Sequence, residues 1–155
     1  MNIKIICLGK IKEKFLKDGI DEFSKRLKGY TSLEVVELAP IEIKDNMIEK
    51  TLDMESEKIL AHIKPQSYVV TLEIKGKQLD SVEFSKKIEE VTNTGISEMV
   101  FIIGSSCGLS AKVSAIADFK MSLSKMTFLH QFTRLLLLEQ IYRAFKIMKN
   151  ETYHK

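Results

Sequence analysis

The sequence predicts an α/β domain: a mostly parallel sheet with helices on both faces. Three observations lead there. Apolar spacing alternates along the chain between strand-length runs and helical stripes. The run over residues 97–103 is apolar almost without a break, as expected of a strand covered on both sides. And 155 residues at 45% hydrophobic content are enough for one sizeable core but short for two, which argues for a single domain over residues 1–155.

Taken in order, residues 3–8 form the first strand, and residues 12–27 an amphipathic helix with Phe15, Leu16, Ile20, Phe23 and Leu27 on one face. Residues 31–38 give a second strand carrying Leu33, Val35 and Val36. A loop follows Pro40; Asn46 is placed to cap a helix that runs to residue 63 and is stopped by Pro65. Residues 67–74 are a third strand with Gly76 in the turn after it. Asp80 or Ser81 opens a helix to residue 91, closed by Asn93 and Gly95. After the fourth strand, residues 97–103, come a short helix over 110–117, a fifth strand over 119–123 and an uninterrupted helix over 130–148. This β-α-β rhythm is that of a parallel sheet. The last helix carries Phe132, Leu135 to Leu138, Ile141, Tyr142, Phe145 and Met148, more than one packing stripe uses, so either a second subunit or a central place in the monomer must cover it.

Charge is uneven. Residues 1–98 hold sixteen Lys and Arg against eighteen Asp and Glu, whereas residues 99–155 hold eight against three. The basic excess therefore accompanies the C-terminal third and suits a phosphate-bearing partner or merely solvates helix faces. Cys7 and Cys107 show no CxxC or Cys/His spacing, and the histidines have no partner at metal-ligand spacing, so neither a disulfide framework nor a metal site is expected. No apolar run is long enough for a signal peptide or a membrane span. A reducing cytoplasm fits.

The least ordinary residues cluster late. Met99-Val-Phe-Ile-Ile-Gly104 opens into the glycine-bracketed loop Gly104-Ser-Ser-Cys-Gly108, and the fifth strand ends in Leu123-Ser-Lys-Met-Thr-Phe128. Two strand-end loops beside a helix start form small-molecule sites in many α/β proteins, because free backbone groups converge there. The glycine loop has neither the P-loop lysine nor the G-x-G-x-x-G spacing. It does fit G-x-S-x-G with Ser106 as a hydrolase nucleophile, and Asp118 and His130 or His154 follow in a suitable order. The terminal Tyr153-His154-Lys155 combines an aromatic, an imidazole and a cation, suited to stacking on a base and handling a proton beside phosphate, or else an inert tail.

Together, Val69-Val-Thr-Leu-Glu-Ile-Lys-Gly76, Phe101-Ile-Ile-Gly104 with Gly108-Leu109, Leu123-Ser-Lys-Met-Thr-Phe128, His130-Gln131, Glu139-Gln-Ile-Tyr-Arg-Ala-Phe145 and Tyr153-His154-Lys155 resemble the ribosomal large subunit methyltransferase H family, of the SPOUT class. The resemblance runs essentially from Ile3 to Lys155. It implies an S-adenosylmethionine-dependent enzyme that methylates N3 of a pseudouridine in helix 69 of 23S rRNA on assembled ribosomes, a homodimer, and a C-terminal trefoil knot, an exception to the rule against threaded chains.

By position, the resemblance puts the cofactor against Leu72, Gly104, Leu123, Ser124, Lys125, Met126, Thr127 and Phe128, with backbone groups bonding the adenine and apolar side chains enclosing it. It implies His154 for managing the proton of N3, Tyr153 for stacking or positioning, and Arg143 for stabilising the anionic base or gripping phosphate. Family members commonly carry Gly-Gly-Ser-Asn-Gly where this chain has Gly104-Ser-Ser-Cys-Gly108, and a proline where it has Leu129; the resemblance thus implies a weaker hold on the cofactor. A serine hydrolase built on Ser106 and a non-catalytic RNA-binding module are the alternatives.

Overall fold

The computed structural model describes residues 1–42 and 47–155; Asn46, the expected helix cap, lies outside them. The elements are β1 (Asn2–Leu8), α1 (Lys14–Leu27), β2 (Leu33–Leu38), α2 (Ile48–Leu60), β3 (Tyr68–Gln78), α3 (Ser81–Asn93), β4 (Glu98–Ile103), α4 (Ala111–Ala115), β5 (Phe119–Ser122) and α5 (His130–Met148). All five strands join one sheet in the order β2-β1-β4-β3-β5, and every pairing is parallel.

Strand alternation divides the apolar residues between two layers. Ile3, Ile5 and Cys7 face the same side as Phe101 and Ile103, where Ile20 of α1, Phe84 and Ile88 of α3, and Leu137, Leu138 and Ile141 of α5 cover them. Ile6, Val100 and Ile102 face the other side, under Ile59 of α2 and Val113 of α4. Helices thus cover both faces, as the sequence predicts. Lys4, which interrupts the first apolar run, points into the thinner layer and is buried; it lies 3.3 Å from Glu34 and 3.4 Å from Glu98. The Glu98 carboxyl is itself buried, which alone would raise its pKa; hydrogen bonds from Ser67 and Lys64 and the charge of Lys4 outweigh that and hold it below the usual carboxylate range.

α5 lies between α1 and α3. Leu135 packs on Gly19, the Phe23 and Tyr142 rings are 6.0 Å apart, and Tyr30 stacks on Phe145 at 5.9 Å, so α1 and α5 run in the same direction. Much of the apolar breadth of α5 is therefore used within one chain. What stays exposed gathers at its start, Leu129 at 61% and Phe132 at 37%, together with Phe15 of α1 at 66%. Phe15 does not join the buried stripe of α1 that its spacing predicts.

Two ends are set by specific side chains. Asp80 and Glu83 form a reciprocal capping box at α3, each accepting from the other's backbone N–H at 2.8 and 2.9 Å. At the end of α5, Asn150 adopts φ +52, and the N–H groups of Asn150 and Glu151 return to Ile147 and Lys146, folding the tail back against the helix. Gly76 lies inside β3 rather than in a turn, and a Cβ there would stand 2.6 Å from the backbone of Met121 on β5.

Candidate cofactor pocket and C-terminal cluster

The C-terminal ends of β4 and β5 and the middle of β3 open onto a cavity of about 1030 Å³. Leu72, Ile103, Leu109, Leu123 and Phe128 supply apolar walls, and the loops over residues 104–108 and 122–128 supply backbone. Of the residues expected to touch a cofactor, Leu72, Gly104, Leu123, Ser124, Met126, Thr127 and Phe128 line this cavity. Lys125 is not among its lining residues; its side chain is exposed.

Gly104 is required by its own loop. Gly108 N–H donates to the Ser105 carbonyl at 2.9 Å, closing a tight turn, and a Cβ on Gly104 would meet the Gly108 carbonyl oxygen at 2.4 Å. Gly108 holds φ +86, which L-residues rarely adopt. Ser105, where the family commonly has glycine, turns its hydroxyl to the buried Glu55 carboxylate of α2 at 2.9 Å, so the added side chain ties the loop to a helix instead of filling the cavity.

Sequence reasoning missed one wall. β3 pairs Leu72 with Met121 and then, after a register shift, Lys77 with the same Met121, so residues 73–76 bulge out and Glu73, Ile74 and Lys75 reach the cavity. The glycine at position 76, within a strand-like run, was the available signal. His130 and Thr133, on the first turn of α5, complete the rim; burial first, and then the charge of Arg134, push the His130 pKa down. Arg134 is 2% exposed and bonds Glu37 at 2.7 Å and the Gly9 carbonyl at 2.9 Å, pinning α5 across the ends of β1 and β2.

Arg143, Tyr153 and His154 form a second cluster. The Arg143 guanidinium stands 4.7 Å over the Tyr153 ring, and its Nη1 lies 3.5 Å from His154 Nδ1. Tyr153 packs edge-on to Tyr142 at 5.0 Å and donates its hydroxyl to Glu139 at 3.1 Å. Burial, then the Glu139 charge, raise its pKa. The tail is tethered by Glu151, which accepts from Tyr30 and Lys146. None of the three lines the cavity of its own chain. Arg143 is thirteen residues beyond His130 on one helix, about 20 Å at 1.5 Å per residue. The cavity and the tail residues to which the resemblance assigns the chemistry are thus at opposite ends of α5.

The hydrolase alternative fails on the same geometry. Asp118 bonds both backbone groups of Val69 at the start of β3, the sheet end opposite Ser106, and His154 lies with the distant tail. Among the described residues no three His, Cys, Asp or Glu side chains converge as a metal site, and no helix is long and apolar enough to cross a membrane.

Comparison with known proteins agrees with this architecture. The chain matches, over residues 1–154, the family described as "Predicted SPOUT methyltransferase". It is 52% identical over 159 residues to the ribosomal RNA large subunit methyltransferase H of Clostridium botulinum strain Hall, and 49% identical over the same length to that of Clostridium perfringens strain 13, all of both chains being covered each time. A solved structure of a "probable methylase family protein" from Haemophilus influenzae Rd KW20 aligns with 99% of this chain and 70% of its own at TM-score 0.55 and 12% identity, a likeness of fold. The chain belongs to the SPOUT methyltransferases and, within them, to the ribosomal RNA large subunit methyltransferase H family.

Proposed function

We propose that the chain transfers the methyl group of S-adenosylmethionine to N3 of a pseudouridine in helix 69 of 23S rRNA, working as a homodimer on assembled ribosomes in the cytoplasm. The observation that carries the cofactor is the cavity at the ends of β4 and β5 and the middle of β3. Its size suits a nucleoside bearing an amino-acid arm, and its apolar side chains with free backbone groups match what an adenine needs. Leu72, Leu123 and Phe128 would enclose the base, with the backbone of Gly104 and residues 124–127 bonding its edge. The cofactor supplies a methyl group on a sulfonium.

N3 of pseudouridine becomes a good nucleophile only once its proton has left. Arg143 and His154 stabilise the resulting anion, and Tyr153 stacks on or positions the ring. His154 manages the N3 proton beside the Arg143 guanidinium, whose Nη1 stands 3.5 Å from its Nδ1.

The separation of tail and cavity along α5 supports the homodimer, because a two-fold pairing would bring one chain's tail to the other's cavity. Exposed Phe15, Leu129 and Phe132, with Met126 at 73% exposure, offer the apolar surface for it. The trefoil knot belongs to the same proposal. It is supported by the chain's place among the SPOUT methyltransferases.

The test is transfer of labelled methyl from S-adenosylmethionine to ribosomes lacking the modification, with the labelled nucleotide mapped by mass spectrometry. Label on N3 of a pseudouridine supports the reading, and label elsewhere or nowhere overturns it. Mixing a Gly104→Ala chain with a His154→Ala chain should restore part of the activity each lacks alone. No restoration removes the shared site.

A further inference from the structure

We infer that Glu139 is a positioning residue for methyl transfer, holding the Arg143 guanidinium and the Tyr153 ring in the orientation in which they meet the base. This rests on the proposed role of the tail. Glu139 lies neither in the cavity nor in the tail, yet the cluster is organised about its carboxylate. Oε1 accepts from Arg143 Nε at 3.0 Å, from Arg143 Nη2 at 2.5 Å and from the Tyr153 hydroxyl at 3.1 Å. Oε2 accepts from Gln140 Nε2 at 2.6 Å, and the Gln140 amide oxygen in turn accepts from Ser81 on α3 at 2.7 Å. The carboxylate is thus braced against a second helix.

The consequence for Arg143 is directional. A guanidinium presents its five N–H groups in a fixed planar fork, and an unpaired arginine samples many rotamers. Glu139 occupies the Nε and Nη2 edge, which leaves Nη1 turned towards His154. It also fixes the plane in which the guanidinium stands over Tyr153. The pair is half-buried, and the helix spacing alone makes it a minor contribution to stability. Convergence of arginine and tyrosine from two segments on one oxygen is better explained by orientation than by helix stability. A Glu four residues before an Arg reads in sequence as a common surface pair, and nothing in its spacing reveals the third donor from the tail.

The experiment compares turnover on ribosomes, S-adenosylmethionine affinity and unfolding midpoint for Glu139→Ala, Glu139→Gln, Arg143→Ala and the Glu139→Ala/Arg143→Ala pair. Glu139→Ala should lower kcat on the order of 100-fold, as a misplacement of about 1 Å does. Cofactor affinity should stay within about twofold, because Glu139 bonds Gln140, Arg143 and Tyr153, none of which lines the cavity of its own chain. Glu139→Gln, which keeps an acceptor oxygen for Tyr153 but loses the charge, should recover part of the loss. The pair should be no worse than Arg143→Ala alone, as expected when one residue acts through the other. Full turnover in Glu139→Ala while Arg143→Ala is impaired overturns the inference and leaves the tail reading standing, and so does a loss in the pair equal to the product of the two single losses. Full turnover in Arg143→Ala overturns the tail reading itself. Should Glu139→Ala fail to fold, Glu139→Gln alone and combined with Arg143→Ala decides by the same comparison.

Discussion

Replacing Gly104 by alanine should damage the cofactor pocket out of proportion to the single methyl group added. The new Cβ would stand 2.4 Å from the Gly108 carbonyl oxygen and 2.6 Å from its carbon, against ordinary contact at 3.4 Å and beyond, so backbone must retreat by about 1 Å. The segment that must move is closed by the Gly108-to-Ser105 hydrogen bond at 2.9 Å and held to α2 through Ser105 and Glu55. Overpacking of this kind costs about 1–3 kcal/mol, and losing the turn bond about 1 more. If the loop opens to relieve the clash, the cost falls on ligand binding, where about 2 kcal/mol is a roughly 30-fold weaker Kd. Gly108→Ala is the control: a Cβ there meets nothing within 4 Å, and only its φ of +86 is penalised, by about 1–2 kcal/mol. Calorimetric titration with S-adenosylmethionine beside urea unfolding separates the two. Wild-type affinity and urea midpoint in Gly104→Ala would refute the reasoning, as would a larger loss in Gly108→Ala.

Arg134→Ala, which strips a buried guanidinium from Glu37 and the Gly9 carbonyl, should lower unfolding free energy by about 3 kcal/mol in urea, the low end for a buried pair because the Glu37 left behind is exposed. For Glu98, whose folded pKa lies below the ordinary glutamate value, the sign is fixed: its stabilisation is complete above the unfolded pKa and is lost as pH falls through the folded one. Glu98→Gln should accordingly flatten the fall of the urea midpoint below about pH 4.5, and an unchanged acid limb would count against the ion cluster. Burial pushes the Cys7 thiol up to about 11, Arg134 opposing and Glu37 adding to the effect, so iodoacetamide at neutral pH should leave Cys7 intact. Cys107, half-buried on the cavity rim, should be alkylated, and slowed when S-adenosylmethionine is present; intact-mass and peptide mapping read both.

Elements dense in apolar residues, such as β4 and α5, were legible in the sequence, α5 with its bounds of residues 130–148 intact. The cavity loops were legible because strand ends with glycine leave backbone free. The bulge over residues 73–76 was not: Gly76 was its signal but reads in sequence as a turn after the strand, and only the pairing with β5 shows the register shift that it marks. Phe15 misled because helical spacing tells which residues share a face, not where that face runs out of neighbours. The distance between tail and cavity was hidden for a different reason: it depends on the direction of α5 relative to the sheet, which no local pattern encodes. The breadth of α5 is largely satisfied within one chain by α1 and α3, so the proposed homodimer rests on the separation of tail and cavity.

The all-parallel sheet also bears on how the chain reaches this state. No parallel pairing can be closed by a tight hairpin, and β1 must find β4, Asn2 against Glu98, before its layer is complete. Such non-local closure makes folding slow relative to helical proteins of the same length. The cavity draws on β3, β4 and β5 at once, so it exists only when the last strand has docked. During refolding, cofactor binding should therefore appear with the slowest phase, after helical signal has recovered, and a newly synthesised chain would have no binding site until residues past 130 had left the ribosome.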